Sequence, residues 1–94
     1  MSPSLAKAFS YQREGQLMKA GIELAKLMDK ERESLLEMFV PEHWEPIVSV
    51  GFLSYANTLG FRYDDRYQTL KRKIVARLLK VWDSKKIDDA LRGL

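Results

Sequence analysis

The residues whose types and spacing could do chemistry fall in two stretches. The first is EHWE, Glu42 to Glu45, where His43 stands among carboxylates. An imidazole beside carboxylates can ligate a metal or move a proton near neutral pH. A metal centre needs several converging ligands, and neither HExxH nor the paired Glu-x-x-His of carboxylate-bridged bundles occurs. His43 is therefore read as a capping or surface residue, with no metal and no cofactor expected. Cysteine is absent, which removes thiol nucleophiles and thiolate ligands. The dinucleotide-binding GxGxxG, the phosphate-cradling P-loop and the GxSxG of serine hydrolases are missing too, so neither an enzyme nor a small-molecule substrate is expected.

The second stretch is RYQTLKRKIVARLLKVW, Arg66 to Trp82, with six cations and no acid. At about 100° per residue, Arg66, Lys73, Arg77 and Lys80 fall on one line with Arg72 alongside, opposite Tyr67, Leu70, Ile74 and Leu78. Arg62, in the preceding loop, extends the stripe. Like charges three or four residues apart disfavour a helix by about 0.2–0.5 kcal/mol per pair, so anions must come from outside it. One source is this chain: Glu31, Glu33, Glu37, Glu42 and Glu45 lie on or just after an earlier helix. The other is a partner, either an acidic protein surface or a phosphate backbone.

For nucleic acid, the nearest architecture is a helix-turn-helix with Pro46 to Leu59 in support and Arg66 to Trp82 as reader, base contacts coming from Arg66, Gln68 and Thr69. The connection from Gly60 to Asp65 is longer than the turn of about three to four residues such motifs use. Trp44, Phe52, Tyr55, Tyr63, Tyr67 and Trp82 could stack bases if exposed, but most sit at core spacing. For a protein partner or a second copy, Leu24, Met28, Leu35, Met38 and Phe39 are candidates for an apolar seam; the plainer reading places them in the domain's own core. The expected function is thus a small interaction module, adaptor or regulator, using the basic helix, with DNA or RNA binding as the alternative.

The elements that must position these residues follow from punctuation and period. Ser2-Pro3 reads as a helix start, and Gly15 as a break. One long helix is then expected over about Gln16 to Phe39, because DKERESLLE consists of good helix formers and Leu35, Met38 and Phe39 resume the spacing of Leu24 and Met28. Pro41 stops it. Pro46 opens a helix that is apolar nearly all round and so belongs in the middle, and Gly60 caps it. Asp64 and Asp65 suit the start of the basic helix, and Asp83-Ser84 starts a short amphipathic tail. No stretch alternates as a strand would. The fold class is all-α, a compact bundle of four to five helices.

With 94 residues and 10.9 kDa, the chain has room for one core, a single helical domain over 1–94. Its 46% hydrophobic and 31% charged residues are a globular balance. Net charge is only +3, but up to Gly60 there are eight acids and six bases, and from Phe61 onward five acids and ten bases. MSPSLAKAFSYQREGQ lacks the apolar core of a secretory signal and reads as part of the domain. The longest uncharged run, Pro46 to Phe61, is shorter than the roughly 20 residues of a membrane helix. With no cysteine, a cytoplasmic protein that does not enter the membrane is expected.

Overall fold

Ser4 opens the first helix, α1 (Leu5–Arg13): its hydroxyl accepts from the Lys7 amide at 3.1 Å, while its own amide donates to the Glu23 carboxylate at 3.1 Å. This is an N-cap in the usual sense. Of the start expected at Ser2-Pro3, Ser2 falls outside the described residues, which in this computed structural model are residues 3–94, and Pro3 is not the first helical residue but lies ahead of the Ser4 cap. Gly15 ends α1 with φ +76°; Gly15 N–H reaches the Gln12 carbonyl and Gln16 N–H the Tyr11 carbonyl. That pair of bonds is a Schellman closure, and its left-handed residue is best supplied by glycine.

The chain continues as α2 (Leu17–Lys30), α3 (Arg32–Met38), a single 3-10 turn at Pro41–His43, α4 (Pro46–Thr58), α5 (Asp65–Leu78) and α6 (Ser84–Ala90). Among the described residues there are therefore six α-helices and no strand, all-α as expected but with more helices than four to five. The extra one comes from the expected long helix, which breaks at Glu31 (φ −138°, ψ 63°). Propensity gives no warning, since both sides of the break are helix formers. The backbone loses little there, because Glu31 N–H still reaches the Leu27 carbonyl and Leu35 N–H the Glu31 carbonyl. In exchange α3 packs on α5.

α2 and α4 form the most extensive helix pair. Their backbones meet at Gly21, where a Cβ would stand 2.9 Å from the Phe52 amide nitrogen and 3.0 Å from the Val48 carbonyl oxygen. Only glycine allows that approach, and it brings Leu24, Met28, Phe52 and Leu53 into one fully buried layer. α4 is less central than its composition suggests: Val48, Ser49, Phe52, Leu53 and Ala56 are buried, but Ile47, Ser54 and Thr58 are exposed. A run of stacked rings closes the end of the core. Phe9 lies 4.2 Å from Trp44 between centroids, and Phe39 lies between Trp44 and Phe52 at 6.2 and 5.5 Å.

Gln12 secures the connector between α3 and α4. Its amide nitrogen donates to the His43 carbonyl at 3.0 Å and its amide oxygen accepts from the Glu45 N–H at 2.8 Å. Both ends of one side chain thereby satisfy backbone groups that no helix serves.

Candidate functional site

Helix α5 starts at a capping aspartate. The Asp64 carboxylate accepts from the Arg66 backbone N–H at 2.8 Å, and the Arg66 guanidinium returns to it with two further bonds of 3.0 Å each. Arg32, from the first turn of α3, donates to the same carboxylate at 3.1 Å while its guanidinium lies 4.7 Å from the centre of the Phe61 ring. Arg66 reaches on to Glu33 of α3 at 2.6 Å. Two arginines and two acids thus join the starts of α3 and α5. Hydrogen bonds from the Arg66 side chain, chiefly, and from its backbone and Arg32 hold the Asp64 carboxyl well below the usual carboxylate range, outweighing the opposing effect of burial. Asp64 and then Glu33 raise the Arg66 guanidinium further above its ordinary value.

Of the two expected sources of anions, the chain itself supplies those of Arg66. Arg66 is clasped by its own chain, and Glu33 is one of the glutamates proposed to do it. Neutralisation stops there. Among the described residues, no acid comes within 4.0 Å of Lys73, Arg77, Lys80 or Arg72. Lys73, Lys80 and Arg72 are exposed; Arg77 is half-buried, its Nε enclosed without a hydrogen-bond partner. Arg72 donates to the Thr69 hydroxyl at 3.2 Å. Arg62 is exposed, with its guanidinium 5.8 Å from the Tyr63 ring centre, and contributes no ion pair.

The base-reading candidates are occupied. Besides Arg66, the Gln68 amide donates to the Arg62 carbonyl and the Thr69 hydroxyl donates to the Asp65 carbonyl. Four of the six aromatic candidates are committed: Trp44 and Phe52 are in the ring stack, Tyr67 is fully buried with its hydroxyl 3.4 Å from the Leu53 carbonyl, and Lys86 covers Trp82 at 4.6 Å. Burial raises the pKa of the Tyr67 hydroxyl. Tyr63 is 87% exposed, with the Arg62 contact described above, and Tyr55 is half-buried.

The proposed apolar seam is also corrected. Leu24, Met28, Leu35 and Phe39 are buried in the domain's own core, and of the five residues only Met38 is exposed. Apolar surface is found on α5 instead. The helix ends at Leu78, before the expected Trp82, and tight turn bonds such as Val81 N–H to the Leu78 carbonyl carry the chain on to α6. Leu79 is 59% exposed and Val81 44%. Gln68, Lys71, Arg72, Val75, Ala76 and Leu79 line a shallow groove of about 350 Å³, and Lys71 is tied by a hydrogen bond to the Leu94 carbonyl. A second, smaller groove between α2 and α4 includes Met18, Ile22, Gly51 and Tyr55 and has no charged residue in its lining.

His43 is exposed, and its ring centroid lies 6.4 Å from that of Phe9. No cluster of three or more His, Cys, Asp or Glu side chains suited to a metal occurs among the described residues. No helix among them is long and apolar enough to cross a membrane.

The fold and the surface thus define a small all-α domain whose one basic helix is neutralised at its start and open beyond it. Comparison with protein-family models, curated proteins and solved structures gives no match.

Proposed function

We propose that this protein is a non-enzymatic interaction module that docks an acidic protein partner on the exposed face of α5. The observation that carries the reading is the pairing of unneutralised cations, Arg72, Lys73 and Lys80, with exposed apolar side chains, Ala76 and Leu79, along α5 and the turn that follows it. Charge supplies steering and register, and apolar surface supplies the burial that holds a protein complex together. Its lack of cysteine suits a reducing compartment such as the cytoplasm.

Binding of nucleic acid through the same cations is the second reading. It is favoured by the open cations and disfavoured by the engagement of Arg66, Gln68 and Thr69 within the chain. Six residues, Leu59 to Asp64, separate α4 from α5. That connection is pinned to α3 by Arg32 and is longer than the turn of about three to four residues in a helix-turn-helix.

A fluorescence-anisotropy titration with random duplex DNA at low and raised salt separates the two. Phosphate binding would be strong at low salt, fall steeply as salt rises, and vanish when Arg72, Lys73 and Lys80 are changed together to Glu. That outcome would replace the protein-partner reading. The expected result is little binding to DNA at any salt. A photo-crosslinking residue at Ala76 should in turn capture acidic segments in the wild-type protein and not in the triple variant.

A further inference from the structure

The exposed arc of α5 divides lengthwise. At about 100° per residue, Val75, Ala76 and, at the C-cap, Leu79 occupy one strip, and Lys73 and Arg77 the strip next to it, with Lys80 following in the turn past the helix. Arg72 sits within the apolar strip's outer half, and Lys71 flanks its other side. The groove along this strip runs from Gln68 to Leu79, about 16 Å of helix. Its lining residues recur at steps of three and four: Gln68, Arg72, Val75 or Ala76, Leu79. Those steps are the ridges into which the side chains of a second helix interdigitate. A phosphate backbone would use the cations and leave Ala76 and Leu79 in water, whereas an amphipathic helix can cover one strip and pair with the other.

We infer that the occupant of this face is an acidic amphipathic helix of a partner protein, about three to four turns long. Its leucine-like side chains rest on Val75, Ala76 and Leu79, and its row of Asp or Glu lies against Lys73 and Lys80. The inference rests on the reading of α5 as the binding face and specifies what binds there. The cations are complementary to that acidic row and have no acid within 4.0 Å among the described residues. The start of α5, where Arg66 is already paired, lies outside the footprint.

The test uses the full chain and three fluorescent peptides in anisotropy titrations. One has leucines at helical spacing with glutamates along one flank, one has the same composition scrambled, and one replaces the leucines by glutamine. The expected result is binding of the first, with the other two weaker by about tenfold or more. Binding should fall similarly in Leu79→Ser, and in Lys73→Glu with Lys80→Glu, all substitutions at exposed sites whose circular dichroism should match wild type. Equal binding of the leucine-free peptide would overturn the inference and leave an acidic partner held by charge alone. Binding of DNA with no binding of any peptide would overturn both the inference and the proposed function. Failure of all three peptides, accompanied by a concentration-dependent dimer in light scattering that Leu79→Ser abolishes, would replace the foreign helix by a second copy.

Discussion

The Arg66 guanidinium donates to the Glu33 carboxylate across 2.6 Å, joining the first turn of α5 to the first turn of α3, thirty-three residues earlier. The same guanidinium holds Asp64, which in turn holds Arg32. The cation at the start of the basic helix, Arg66, is thereby spent on architecture. The cations left over, from Arg72 onward, are the ones assigned to the proposed binding face.

Asp64 acts both as a helix cap and as an acceptor for two arginines. Asp64→Ala should therefore cost more than the roughly 1 kcal/mol typical of a lost cap, since it also leaves Arg32 and Arg66 without their shared acceptor. Urea denaturation monitored by circular dichroism at neutral pH measures this. A loss below that of a simple cap would mean the arginines find equivalent partners.

The same carboxyl sets a pH dependence. Its folded pKa is depressed below an unfolded value of about 4, so the stability it contributes is fully present above about pH 5 and is lost as pH falls through the acid range. Wild type should lose stability on acidification more steeply than Asp64→Asn, whose residue 64 does not titrate. Parallel curves of stability against pH, between about 6 and 3, would show that other carboxyls dominate.

Two glycines on facing helices should respond oppositely. Gly21→Ala places a methyl against the α4 backbone at 2.9–3.0 Å and must push the helices apart, with an expected cost of about 1–3 kcal/mol. Gly51→Ala meets nothing within 4 Å and lies inside α4, so removing backbone freedom should stabilise by about 0.5–1 kcal/mol. Thermal melts of the two variants check the sign of each.

Gln12 serves two backbone groups of the connector, and Gln12→Leu abandons both. With each neutral hydrogen bond worth about 0.5–1.5 kcal/mol and this pair close to solvent, a loss of about 1 kcal/mol is expected. Gln12→Glu can still accept from the Glu45 N–H but cannot donate to His43, and should fall between. Denaturant midpoints rank the three proteins.

Much of the fold was legible because it is written in local chemistry. Gly15 and Gly60 end helices by adopting positive φ, Asp64 and Asp83 cap the helices that follow, and Pro46 occupies the first turn of α4. Each needs only its immediate neighbours. The break at Glu31 was not legible, because its cause is remote: it lets Arg32 reach Phe61 and Asp64 and Glu33 reach Arg66. The alternating acids and bases of DKERE describe a solvated helix equally well. Nor did spacing reveal the apolar strip, since Val75 and Leu79 are far enough round α5 to be assigned to either side.

By itself the sequence determined an all-α chain, the start and stop of most helices, and a basic segment without internal acids, because periodicity, capping and charge counts act over a few residues. Tertiary structure alone decided which cations are spent and which apolar groups stay in water. Those outcomes depend on how α3 and α5 approach one another, and on how far round α5 the core extends. An ion pair spanning thirty-three residues and a helix face left uncovered are properties of packing, which no local pattern encodes.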